Sequence, residues 1–260
     1  MKHIFSKAQE QQLDKTLEEV LDYLEQLKDS ENWKELLQEK LESMKAENDA
    51  AQQKVYEKNA WDFSKEKTLS VFVRDTDMVL RPFRESDKSF YYTVRKQWEQ
   101  VVFCDMLSEN NNILWENTQS ESSFFCIVEW QEQPVGYVGI CDTRESIWEV
   151  SVEFDKEYCF KGLGGRAIRL FLKAIEEATL KNLFYARVEV DNLACQKCME
   201  KIGANLAGIC NGALQTEEER RAFEEENQER IDKHIIQLAD QLGVEPRLLL
   251  THVLKYEIEV

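Results

Sequence analysis

Glycine and proline are scarce in this sequence, with 9 and 3 among its 260 residues. Long apolar runs are also lacking: no stretch reaches the roughly 18 apolar residues of a membrane-spanning helix. The opening residues, MKHIFSKAQEQQ, have no apolar core, which argues against a secretion signal. The 7 cysteines are an odd number, so we expect reduced thiols and a cytoplasmic location.

Basic residues are in the minority, with 33 Lys and Arg against 50 Asp and Glu, and the formal net charge is -17. A surface this acidic repels phosphate backbones and anionic lipid, so we expect neither nucleic acid nor membrane as a partner. A cationic substrate or partner suits this charge better.

The first 62 residues contain no glycine and no proline. Apolar residues recur there at spacings of three and four in two stripes, which a polar segment at 29–32 separates. This pattern predicts a helical hairpin, and we assign 1–67 to this extension. Each helix has one apolar side, which needs the other helix, the main domain or a second copy as a partner, so a homodimer through the extension is one expectation.

From residue 68 onward, strand and helix patterns alternate. Strands are predicted at 78–83, 123–130, 134–141, 146–155, 183–190, 205–211 and 252–260. A helix is predicted over 216–242, where Thr216 and Glu219 form a capping box and Gly243 is a stop signal. The sequence thus predicts one α/β (α+β) domain over 68–260 with a helical insertion at 216–243.

Three of the few glycines fall in the segment CFKGLGGRAI, residues 159–168. One interpretation is a turn that lets a helix pack close to a sheet. A second is the dinucleotide fingerprint G-x-G-x-x-A of an NAD-dependent oxidoreductase, although Lys156–Lys161 intervene after the strand. A third is a cradle for the pyrophosphate of acyl-CoA at a helix N-terminus, with Lys161 and Arg166 as nearby cations.

The flanking segments resemble the GNAT acetyltransferases. WEVSVEFDKEYCFKGLGGRAI is similar to the fourth strand and glycine loop of that family, VEVDNLACQKCMEKIGA to its later Asn-led helix, and LRPFRESD to its opening strand. The resemblance covers 78–260 and is nearest the subgroup that acetylates polyamines or ribosomal-protein N-termini. It implies a central mixed, mostly antiparallel twisted sheet flanked by helices, with the hairpin and the helix before the last strand as additions.

The resemblance implies acetyl-CoA-dependent transfer to a primary amine, either a small cationic amine or a protein N-terminus. It implies that the strands at 146–155 and 183–190 splay apart, and that backbone groups of the first strand bind the pantetheine arm. A side chain at Gly164 is then expected to intrude on the phosphates. The implied cofactor residues are Val152, Glu153, Phe154, Cys159, Phe160, Lys161, Gly162, Leu163, Gly164, Gly165 and Asn192.

The resemblance also suggests catalytic residues. Glu149 is the expected base, because an alkylammonium with a pKa near 10 must lose a proton. Cys195 stands where related enzymes often have Ser and is the expected donor to the CoA thiolate. No spacing of His and Cys completes a zinc site, so no metal is expected.

Two departures from the family pattern leave another function open. Cys159 replaces the Arg or Gln that opens the loop, and Met199 replaces the tyrosine that in many members protonates the thiolate. The alternative is an acyl-CoA-binding interaction module with weak catalysis.

Overall fold

The computed structural model describes residues 20, 21, 23, 24, 32–59, 61–98, 111–214 and 216–260. The chain divides into two compact units, 1–58 and 59–260. The described part of the first unit is dominated by helix α1, Trp33–Asn59. This helix matches the second predicted stripe, whereas most of the first stripe lies outside the described residues. The homodimer through this extension therefore stays a prediction.

The second unit is built on one eight-stranded sheet with the spatial order β1-β2-β3-β4-β5-β6-β8-β7. Neighbouring strands are antiparallel except for β5 and β6, which are parallel. A dinucleotide-binding fold needs a largely parallel sheet, so the NAD-dependent alternative is wrong for this chain. The strands are β1 Val73–Arg74, β2 Met78–Pro82, β3 Phe124–Trp130, β4 Gln133–Ile140, β5 Trp148–Phe154, β6 Leu183–Val188, β7 Asn205–Asn211 and β8 His252–Glu259.

Helices cover the sheet, and their bounds follow the capping signals in the sequence. The helix predicted over 216–242 is wrong as a single element, because it is two helices. The capping box of Thr216 and Glu219 begins the first, and Asp232 begins the second by accepting a hydrogen bond from Ile235 N. The helices are α2 Ser64–Lys67, α3 Lys88–Lys96, α4 Asn111–Gln119, α5 Leu163–Thr179, α6 Leu193–Ile202, α7 Glu217–Glu226 and α8 Lys233–Leu242.

The two faces of the sheet carry different cores. On one face, α5 and α6 bury Phe171 and Met199 in the main apolar cluster with Val138. On the other face, Tyr137 joins a smaller aromatic cluster that also contains Trp115 of α4. Adjacent strand residues point to opposite faces, so β4 supplies both cores. The smaller cluster leaves room on its face for an open cleft.

Phe63 belongs to the core of this unit. It is completely buried, stacks on Phe124 at 4.6 Å between ring centroids and meets Trp148 edge-on at 6.0 Å. The sequence placed the boundary between extension and domain at 67/68, which assigns Phe63 to the extension. We propose instead that the domain begins at residue 59, where the second compact unit starts.

Candidate active site

The two parallel strands β5 and β6 separate soon after they meet. They pair only through Trp148 with Phe184 and Glu149 with Tyr185. Beyond these pairs β5 continues to Phe154 with no strand paired to that side among the described residues. The splay that the resemblance implied is therefore present, and we call the space between the diverging strands the wedge.

Backbone alternation along β5 decides which residues face the wedge. Glu149 O and Asp155 N are hydrogen-bonded to the β4 side of the strand. In an antiparallel pair this bonding recurs every second residue, so the backbone of Glu153 also points to β4. The backbone N–H and C=O groups of Val152 and Phe154 therefore face the wedge. The expected contribution of Glu153 through its backbone is therefore not supported by the geometry.

One of these wedge-facing groups already has a partner. Trp98 Nε1 donates a hydrogen bond of 2.9 Å to Phe154 O. The backbone N–H and C=O of Val152 remain available to hydrogen-bond an extended ligand that lies beside β5 like an added strand.

The glycine loop ends in the N-terminus of α5. Gly162 precedes the helix in the left-handed conformation, with φ 78°. The first backbone bond of the helix runs from Arg166 N to Gly162 O at 3.3 Å. The N–H groups of Leu163, Gly164 and Gly165 therefore have no acceptor within the helix, and a helix N-terminus with free N–H groups attracts anions. The donor set fits a pyrophosphate.

A side chain at Gly164 or Gly165 would point into the protein and away from the anion-binding N-terminus of α5. A Cβ on Gly164 would lie 3.6 Å from Cys198 Sγ, and a Cβ on Gly165 would lie 3.0 Å from Ile202 Cγ2. The lack of a side chain at Gly165 lets α5 approach α6 closely, whereas a Cβ at Gly164 would be in ordinary van der Waals contact. The expectation that a side chain at Gly164 intrudes on the phosphates is therefore wrong, because that side chain would point toward α6.

The charges around the loop differ from expectation. Arg166 donates hydrogen bonds to Asp75 and Asp77, and these bonds lower the pKa values of both carboxyl groups. Its charge is thereby compensated. Lys161 lies with Nζ 4.7 Å from the ring centroid of Tyr158. Of the two expected cations, Lys161 is the one not tied to a carboxylate.

The loop before Gly162 is shaped by an unusual backbone angle at Phe160 and by a side-chain hydrogen bond of Cys159. Phe160 adopts φ 64° and its side chain is 91% exposed. Cys159, which replaces the Arg or Gln of the family, donates from Sγ to Asp155 O at 3.6 Å. The left-handed conformation at Phe160 turns the chain between β5 and α5.

Asn192 and Cys195 lie in the first turn of α6. Asn192 Oδ1 accepts a hydrogen bond of 3.0 Å from Cys195 N, so Asn192 is the cap that the sequence predicted. Burial raises the pKa of the Cys195 thiol to about 12, so the thiol stays protonated at neutral pH. Met199 is fully buried one turn further on.

An open cleft of about 1200 Å³ lies on the face of the sheet opposite α5 and α6. Its walls come from the helices α3 and α4, from the strands β3, β4, β5 and β8 and the end of β6, and from the segments 61–64, 120–122, 141–144 and 212–213. Charged side chains on these walls include Asp62, Arg95, Glu121, Asp142, Arg144, Glu149, Arg187 and Glu189.

Glu149 lies where the cleft meets the wedge. It belongs to the last residue pair between β5 and β6, and its side chain lines the cleft. Arg187 Nε donates a hydrogen bond of 2.8 Å to Glu149 Oε1, and the Tyr185 hydroxyl lies 3.4 Å from Oε2. The expected base is therefore part of an ion pair with the neighbouring strand.

A second polar group lies at the far end of β5. Arg95 Nη1 of α3 donates to Glu153 Oε1 at 2.8 Å. Glu153 Oε2 and the Tyr137 hydroxyl are buried without a hydrogen bond to any residue that the structure describes. Burial, together with the charge of Glu153, raises the pKa of Tyr137. The side chain of Glu153 thus connects β5 to α3.

Sequence reasoning missed several of these residues. Arg187 and Glu189 line the cleft, and Arg95 reaches it from α3. The alternation in LFYARVEV puts residues 185, 187 and 189 on one face, which was a usable signal. Arg95 had no comparable signal, because its position depends on how α3 packs.

No group of three or more His, Cys, Asp or Glu suited to a metal ion occurs among the described residues. Helices long and apolar enough to cross a membrane are likewise missing from that part of the chain.

A single splayed parallel pair in an antiparallel sheet, followed by a glycine loop and helix, defines an acetyltransferase-type fold. The sequence model of the acetyltransferase (GNAT) domain matches residues 77–205. The chain therefore contains a GNAT acetyltransferase domain. A search of curated protein sequences found no match.

Solved structures with a similar fold include three acetyltransferases. The ribosomal L7/L12 alpha-N-protein acetyltransferase RimL, in complex with coenzyme A, is 13% identical with a TM-score of 0.50, over 73% of this chain and 98% of that one. The microcin C7 self-immunity acetyltransferase MccE, with acetyl-CoA and AMP, is 13% identical with a TM-score of 0.49, over 76% and 100%. An acetyltransferase from Salmonella typhimurium that modifies the N-terminal serine of L7/L12 is 12% identical with a TM-score of 0.48, over 72% and 96%.

Proposed function

We propose that this protein transfers an acetyl group from acetyl-CoA to the N-terminal amine of a peptide or protein. The observation that carries the proposal is the meeting of wedge and cleft at Glu149. An acyl donor in the wedge and an amine in the cleft would approach each other from opposite faces of the sheet. Such positioning accounts for much of the rate in direct acyl transfer.

The donor side of the proposal rests on the loop and the strand edge. The N–H groups of Leu163, Gly164 and Gly165 would hold the pyrophosphate, and the backbone of Val152 with the N–H of Phe154 would pair with the pantetheine arm. The remaining loop residues Cys159, Phe160 and Lys161, the N–H of Gly162, and Asn192 complete the proposed cofactor site. Acetyl-CoA supplies the activated acetyl thioester.

Cys195 is the proton donor that the family resemblance suggested. A pKa of about 12 for its thiol makes proton release to a CoA thiolate unfavourable, because an ordinary thiol has a pKa of about 8.5. Burial thus opposes this role. The thiolate leaving group can take the proton that the new amide nitrogen loses, so the reaction needs no proton donor from the chain.

The acceptor side rests on the size and charge of the cleft. It is an open cleft of about 1200 Å³, and its carboxylates include Asp62, Glu121 and Glu189, none of which has an Arg or Lys hydrogen bond among the described residues. Carboxylates favour a cationic ammonium. RimL, which shares the fold, acts on a ribosomal-protein alpha-amine, which supports a protein N-terminus over the alternative of a small cationic amine.

A second candidate function keeps the fold and loses the chemistry. Cys159 and the buried Met199 stand in place of family residues, which favours an acyl-CoA-binding module with weak catalysis. The two candidates differ in turnover and not in ligand.

A thiol-release assay separates these candidates. The full chain is incubated with acetyl-CoA and, separately, with peptides beginning in Ser or Ala, the same peptides with a blocked N-terminus, and spermidine. We expect CoA release with the free peptides, little with spermidine and none with the blocked peptides. Stabilisation of the chain by acetyl-CoA without CoA release from any acceptor would support the binding module.

A further inference from the structure

We propose that Glu189 receives the proton of the acceptor amine, and that Glu149 positions Arg187. This inference rests on the proposed function and names a catalytic residue for it. The two carboxylates line the same cleft, on neighbouring strands.

Glu149 is committed to another interaction. Its Oε1 accepts the 2.8 Å hydrogen bond of Arg187 Nε, and its side chain is only 16% exposed. Charge-assisted hydrogen bonds of this kind are about twice as strong as neutral ones. The geometry therefore makes Glu149 a positioning residue for the guanidinium of Arg187.

Glu189, by contrast, forms no such ion pair with a described residue. It directly follows β6, is half-buried and lines the cleft. Its carboxylate forms no hydrogen bond or ion pair with any described residue. Three other residues carry the buried side-chain atoms that lack a hydrogen bond in the described chain. The Glu189 oxygens lack a hydrogen bond but are not among these buried atoms, so they are accessible from the cleft.

The backbone holds Glu189 in place. Its carbonyl accepts a hydrogen bond of 3.0 Å from Asn192 N and one of 3.4 Å from Gln196 Nε2. These bonds tie the residue to the first turn of α6, whose cap Asn192 belongs to the proposed cofactor site. The backbone that carries the carboxylate is thereby fixed at the edge of the cleft.

The electrostatic environment also suits a proton acceptor. Burial raises the pKa of Glu189, the charge of Asp191 raises it further, and the charge of Arg187 lowers it. The other titratable neighbour is Cys210 of β7, whose thiol has a raised pKa partly because of Glu189. A carboxylate whose pKa is shifted toward neutrality is a better general base than an ordinary one.

The proposed step balances in protons and electron pairs. One proton of the substrate ammonium moves to a Glu189 oxygen, and the freed electron pair on nitrogen forms the bond to the acetyl carbon. The carbon–sulfur bond breaks with its electrons on sulfur. The second proton leaves nitrogen and neutralises the thiolate, and Glu189 returns its proton to water.

Matched glutamine variants test the assignment. The full chain, Glu189→Gln, Glu189→Asp, Glu149→Gln and the surface control Glu177→Gln on α5 are assayed with acetyl-CoA and a peptide with a free N-terminal serine between pH 6 and 10. We expect Glu189→Gln to lower kcat about 100-fold at pH 7. The loss should shrink as the pH nears the amine pKa of about 8.

The variants differ in what each outcome means. Glu189→Asp should recover part of the rate, and all variants should keep their stabilisation by acetyl-CoA. Glu149→Gln should raise KM for the peptide more than it lowers kcat. A wild-type rate in Glu189→Gln with the full loss in Glu149→Gln would overturn the inference and leave the proposed function intact. No transfer by the unmodified chain would refute the proposed function itself.

Discussion

Replacement of Gly162 by alanine tests whether the loop geometry serves the cofactor. Gly162 has φ 78°, and an added Cβ would meet no atom within 4 Å. The cost is therefore conformational, and a left-handed residue with a Cβ costs about 1–2 kcal/mol. We expect Gly162→Ala to lower the free energy of unfolding by that amount and to weaken acetyl-CoA binding, because the free N–H groups of α5 follow directly.

Gly164→Ala is the matched control. Its Cβ would lie in ordinary contact with Cys198 and Phe154, and alanine is favoured over glycine in a helix by up to about 1 kcal/mol. Urea unfolding should show equal or greater stability, and titration calorimetry should show unchanged acetyl-CoA affinity. If Gly164→Ala loses affinity while Gly162→Ala keeps it, the orientation of the loop derived above is refuted.

Three further changes test the surroundings of the site. Thr143→Val should lower the free energy of unfolding, measured with urea, by about 1–3 kcal/mol. The buried hydroxyl accepts a hydrogen bond from Trp61 N and donates one to Trp61 O, and Thr143→Ser, which keeps the hydroxyl, should lower it much less. A chain beginning at residue 59 should keep its melting temperature, whereas Phe63→Ala should lose about 3–5 kcal/mol; equal stability would contradict the proposed boundary. Arg166 lowers the pKa values of its two aspartate partners, so its stabilisation is present above about pH 4 and is lost as the pH falls further. Arg166→Ala should therefore be less stable than the unmodified chain at pH 5, and the difference should shrink as the pH falls below about 4. A difference that stays constant as the pH falls would contradict this.

Local signals made much of the fold predictable. The seven strands from β2 to β8, the glycine loop and the helix that Asn192 leads follow from short patterns, and the structure has them within a few residues of the predicted bounds. The two-residue strand β1 was not predicted. The one helix over 216–242 failed because Asp232 competes as a cap in the middle of a long charged stretch. A capping residue inside a periodic pattern is hard to distinguish from a surface residue.

The candidate site was less predictable because its contacts join distant parts of the chain. Glu149 was found from the family pattern, but its ion pair with Arg187 depends on the register between β5 and β6. The compensation of Arg166 by residues of the β1–β2 turn, and the direction of Gly164 toward α6, depend on packing. Neither leaves a mark in local sequence.

The most direct test of the account is mass spectrometry of a peptide after incubation with the full chain and acetyl-CoA. The account predicts one added acetyl group on the free N-terminal amine, one CoA released for each peptide modified, and no product from the blocked peptide. Acetyl-CoA that stabilises the chain but leaves every amine unmodified would contradict the proposed transfer.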